Sequence, residues 1–100
     1  MKPIIKLSQK DYKQENGIIR KFPIVTIYYD ETSKFPFVAD TDNNGWIKYH
    51  TDKSKNLKTL IRRTNTEVFC VLYRKGKYTT EKTIGSNIEI LDDTFKNEVL

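Results

Sequence analysis

No uninterrupted apolar run in this chain exceeds six residues, and the longest, at 68–73, is β-branched and aromatic. Runs of that length suit strands of roughly four to eight residues and fall far short of the ~20 residues that a membrane-crossing helix needs. Turn-forming residues separate them. Residues 24–29 precede the polar stretch 30–34; residues 35–39 precede Asp42-Asn43-Asn44-Gly45; residues 46–49 follow. The pattern predicts three strands in meander order, with Pro36 at the start or on an exposed edge of the second because it cannot donate to a ladder.

Residues 4–7 read as a further short strand. Ser8 followed by Asp11 resembles a helix start, so a helix is expected toward Asn16, stopping at Gly17. A second helix is expected up to Asn65, capped by Asp52 or Ser54, because Leu57, Leu60 and Ile61 fall at helical spacing. Residues 67–73 and 78–84 flank Arg74-Lys75-Gly76-Lys77, whose glycine suits the positive φ of a tight hairpin. Residues 88–91 read as the last strand. The expected class is mainly β (α+β): a small antiparallel sheet, curled or closed into an SH3-like or OB-like barrel of roughly five to seven short strands with one or two short helices. An open α+β sheet is the alternative.

The chain of 100 residues is expected to form one domain with one core, and residues 92–100 to fray as an acidic tail. One cysteine, Cys70, excludes an internal disulfide and a multi-thiolate metal site. With no apolar segment of signal-peptide type at the start, this points to a reduced, cytoplasmic setting without a membrane role.

The net charge of +5 is unevenly spread. Nine bases lie between Lys53 and Lys82 (Lys53, Lys55, Lys58, Arg62, Arg63, Arg74, Lys75, Lys77, Lys82) against two acids, Glu67 and Glu81. Glu89, Asp92, Asp93 and Glu98 make the C-terminal stretch acidic, a solvated end or an intramolecular rival for the basic segment. Clustered cations beside stackable rings are what a polyanion needs. The expected nucleic-acid-binding residues are Lys55, Lys58, Arg62 and Arg63 on the basic helix with Tyr73, Arg74, Lys75, Lys77 and Tyr78 at the hairpin tip. If Lys75 and Gly76 form the turn, Tyr73 and Tyr78 become cross-strand neighbours.

The run Asp40-Thr41-Asp42-Asn43-Asn44-Gly45-Trp46-Ile47 resembles the opening of an EF-hand calcium loop: oxygen ligands at its first, third and fifth places, glycine sixth, an aliphatic eighth. The resemblance implies a weak Ca²⁺ site. The twelfth place holds Thr51 instead of glutamate and the flanks read as strands, so a hairpin turn is favoured while both readings stay open. His50 is the only histidine, Cys70 sits in an apolar run, and no phosphate loop or nucleophile elbow occurs. An enzyme is not expected, and no cofactor is implied.

The favoured function is therefore a non-enzymatic binder of nucleic acid, single-stranded DNA or RNA first, or of a protein holding nucleic acid. The alternative is a protein-binding inhibitor or adaptor, of the kind carried by mobile genetic elements, docking through a sheet edge or an aromatic patch near Phe35, Phe37 or Trp46.

Overall fold

A computed structural model describes residues 1–41 and 51–99. Among the described residues, nine strands, two α-helices and a 3-10 turn follow one another: β1 Lys2–Ser8, β2 Tyr12–Lys13, β3 Ile19–Arg20, β4 Val25–Tyr29, β5 Phe37–Thr41, β6 Thr51–Ser54, α1 Leu57–Glu67, β7 Cys70–Lys75, β8 Tyr78–Thr83, β9 Asn87–Ile90, the turn Asp93–Phe95 and α2 Lys96–Val99. The expected strand at 46–49, the turn before it and His50 lie outside the described residues.

Five strands form one antiparallel sheet in the order β6-β5-β4-β1-β9. The antiparallel, mainly β reading holds, but the sheet does not close: β6 and β9 remain its two edges, so no barrel forms among the described residues. β5 begins immediately after Pro36, where the missing N–H would otherwise interrupt the ladder. Alternation places Ile5, Leu7, Val25, Ile27, Phe37 and Ala39 on one face, where they are buried against Leu57, Leu60 and Ile61 of α1 and against Val68 and Phe69. Phe37 is thus core and not part of an exposed aromatic patch, whereas Phe35 stays 43% exposed. Of the adjacent tyrosines, Tyr29 packs on Phe37 while Tyr28 falls on the opposite face.

The β1 register slips by one residue between Pro3 and Ile5, leaving Ile4 as a bulge. Its carbonyl accepts N–H groups from both Leu91 and Asp92, at 2.8 and 3.1 Å. That pair of bonds holds the chain as it leaves β9. In the segment expected to fray, Asp92 pairs with Lys2 at 2.8 Å, and the Phe95 ring sits 5.0 Å from Tyr29 and 5.8 Å from Phe37. The half-buried Phe95 ring thus packs among aromatics at the edge of the core.

Two further expectations are corrected. The segment expected as a first helix forms the β2–β3 hairpin, with Gly17 at φ +84 and Asn16 accepting the Ile18 N–H at 3.0 Å. A helix there would expose polar residues all round, whereas Asn16-Gly17 is a strong hairpin turn. Helix α1 is capped by Asn56, whose side chain accepts the Thr59 N–H, and not by Asp52 or Ser54, which belong to β6. Pairing of Asp52 with Ala39 and Ser54 with Phe37 extends the sheet by an edge strand, and this delays the helix start.

Candidate nucleic-acid interface

β7 and β8 form a separate two-stranded ribbon, and every residue of β8 is exposed. Lys75 pairs with Tyr78, so the two-residue loop is Gly76-Lys77, with Gly76 at φ +62. The turn is therefore displaced by one residue from the Lys75-Gly76 assignment. Tyr73 pairs with Thr80, which makes Tyr73 and Tyr78 diagonal neighbours on one face instead of a direct pair.

Because side chains alternate along a strand, this register sorts the hairpin into two faces. Tyr73, Lys75, Tyr78, Thr80 and Lys82 share one; Leu72, Arg74, Thr79, Glu81 and Thr83 share the other. On the first face the Lys82 ammonium stands 5.6 Å from the Tyr73 ring centroid, a cation–π contact. Tyr78 is 77% exposed against 41% for Tyr73, so Tyr78 offers the open ring. Lys82 is the residue that the expected site lacked. It sits four positions from Tyr78 in sequence, the even spacing that marks one strand face, but its relation to Tyr73 required the cross-strand register.

Arg74 departs from its neighbours. Its Nε donates to the Gly76 carbonyl at 3.1 Å, bracing the turn, and it lines a groove with Lys77, Leu72, Glu15 and Asn16 on the far face. The β2–β3 turn backs this face, anchored where the Gln14 side chain accepts the Leu72 N–H at 2.8 Å.

The helical cations do not form one patch. Lys58 and Arg62, one turn apart, line a groove that reaches Thr83 at the foot of β8. Arg63 points elsewhere: its Nε lies 3.2 Å from the Asp52 carboxylate, and its Nη2 donates to the Lys53 carbonyl at 2.6 Å. It ties α1 to β6. The Lys55 ammonium lies 5.5 Å from the Phe35 ring centroid, on a groove shared with Asn97 and Glu98.

Burial pushes the Cys70 thiol above its usual range, reinforced by Glu81 and opposed by Arg20. A raised thiol favours the protonated form. Among the described residues no three His, Cys, Asp or Glu side chains gather as a metal site, and no helix is long and apolar enough to cross a membrane. Of the calcium-loop residues, Asp40 and Thr41 belong to β5, and Asp42, Asn43 and Asn44 lie outside the described residues. Comparison with known proteins finds no matching family, no matching curated protein and no matching solved structure.

Proposed function

We propose that this chain is a non-enzymatic nucleic-acid-binding domain whose principal binding element is the β7–β8 hairpin, with single-stranded DNA or RNA preferred over duplex. The reading rests above all on the composition of one hairpin face, where Tyr73, Lys75, Tyr78 and Lys82 follow one another. The ammonium groups meet phosphates, and release of condensed counterions drives association. The Tyr78 ring meets a base; stacking of this kind contributes roughly 1–3 kcal/mol per base and needs a base unstacked from its neighbours, hence the single-strand preference. Lys77 adds charge at the tip. Such a role, or binding to a protein that already holds nucleic acid, goes with the cytoplasmic setting that we propose from the single cysteine.

Fluorescence anisotropy of labelled single-stranded DNA, duplex DNA and RNA, at low and near-physiological salt, tests this reading. Micromolar binding that weakens steeply with salt and favours single strands is expected. Absence of binding at low salt would overturn it.

A protein-docking role as an inhibitor or adaptor draws on a different observation: Ile18 and Ile19 stand 61% and 51% exposed beside the β2–β3 turn. Affinity for a partner would then fall on truncating those two side chains and respond little to salt.

A further inference from the structure

A groove of about 290 Å³ opens where α1, the foot of β8 and α2 meet. Ile61 and Val99 give it apolar walls, Lys58 and Arg62 border it with positive charge, and Asn65, Thr66 and Thr83 contribute polar atoms. No acid lines it. The other grooves described each carry at least one: Glu98, Asp30 with Glu31, or Glu15. Among the described residues no hydrogen bond or ion pair engages the Arg62 guanidinium or the Lys58 ammonium, and the Thr66 hydroxyl donates only to the Arg62 carbonyl, at 2.9 Å. The Asn65 Oδ1 accepts the Ser86 hydroxyl at 2.7 Å, which fixes that amide and leaves its NH₂ free to donate.

We infer that this groove is a second nucleotide subsite: a base lies against Ile61 and Val99, its edge is met by Asn65, and its phosphate is held by Lys58 and Arg62. The inference rests on the nucleic-acid reading of the hairpin and extends it. The path between the two sites is β8, whose outer edge has no strand partner among the described residues and whose residues are all exposed. Lys82 lies on the Tyr78 face of that path, whereas Thr83, the groove's residue on β8, shares the opposite face with Glu81, so the bound strand passes over the outer edge of β8 between Lys82 and Thr83 to enter the groove. From Tyr78 to Thr83 the strand rises by about 17 Å at ~3.3 Å per residue, or about five phosphates at the ~3.4 Å duplex spacing of one strand and fewer in a stretched single strand. A strand seated at Tyr78 therefore reaches Arg62 once it is several nucleotides long, and shorter ones cannot touch both.

The test is a length series of labelled oligothymidylates, about 2, 8 and 16 nucleotides, the two longer ones within the site sizes of single-strand binders. Linked subsites act at high effective concentration, so affinity should rise more than ~10-fold between the first two lengths. Arg62→Glu should remove most of that gain while leaving the shortest probe within about twofold, and Lys75→Glu should weaken all lengths. Lys58→Glu repeats the test should Arg62→Glu lower the melting temperature. A gain with length that survives both substitutions overturns the groove and leaves the hairpin reading standing. Failure of the unmodified protein to bind any length overturns both.

Discussion

Arg62 and Arg63 are adjacent in sequence, yet only one is free to meet a ligand. Arg63 is committed to Asp52 and the Lys53 carbonyl, while Arg62 borders an open groove. Arg63→Ala should therefore lower the melting temperature modestly, by the ~0.2–1 kcal/mol of an exposed ion pair plus its hydrogen bond, and leave the salt dependence of DNA binding unchanged. Tyr78→Ala should weaken single-strand binding about 5- to 150-fold, in line with removal of one stacked base, whereas Tyr78→Phe should retain most of it. Equal effects for both would assign the interaction to the hydroxyl. A third expectation concerns Asp92. Hydrogen bonding from Lys2, then from Thr94, lowers its carboxyl from 3.8 to about 2. A depressed folded-state value stabilises the fold above the unfolded value, and that contribution disappears as pH falls through the folded one. The melting-temperature difference between the unmodified protein and Asp92→Asn should be flat at neutral pH and shrink between about pH 4 and pH 2. Cations and rings were legible as residues, but their partners were not, since Asp52 lies eleven positions from Arg63 and in a different element.

At the scale of elements, strand patterning was the more legible signal and turn chemistry the decisive one. β1, β4, β7, β8 and β9 follow directly from apolar and β-branched runs, and α1 from the Leu57, Leu60, Ile61 stripe. The misread segment at 8–17 offered a capping sequence without an apolar stripe, and a cap cannot sustain a helix that buries nothing. β6 escaped notice because its polar residues form an edge strand, whose identity depends on the neighbour it pairs with. The hairpin register is set by Gly76, whose φ of +62 disfavours a side chain although the space a Cβ would occupy is open, with nothing within 4 Å. Gly76→Ala should then cost about 1–2 kcal/mol through backbone strain alone, read as a lower melting temperature, and should weaken binding by disturbing the tip. In α1, Leu60 is fully buried. Leu60→Ala should cost about 2–5 kcal/mol, and a smaller effect would mean that α1 is not seated on the sheet as described.

The molecule as a whole is elongated, 48 × 26 × 21 Å, with an open five-stranded sheet and α1 forming the body and an exposed ribbon as a separate element. The basic excess of the sequence goes chiefly to the hairpin, the Lys58–Arg62 groove, structural ties at Arg63 and Arg74, and a separate Lys55–Phe35 contact. Counting charges singled out the segment but overstated how many of them are open to a ligand. At the acidic end, Asp92 and Phe95 make contacts with Lys2 and Tyr29, while Asp93 and Glu98 stay exposed. The central claim is that the hairpin tip neutralises phosphates. It is tested most directly by titrating labelled single-stranded DNA across a salt series with the unmodified protein and with a Lys75→Glu, Lys77→Glu double variant of unchanged melting temperature. The slope of log K against log salt should fall in magnitude by about 1.4, ~0.7 for each phosphate no longer neutralised on a single strand, together with a marked fall in affinity at low salt. An unchanged slope and affinity would contradict the account and remove the hairpin from the interface.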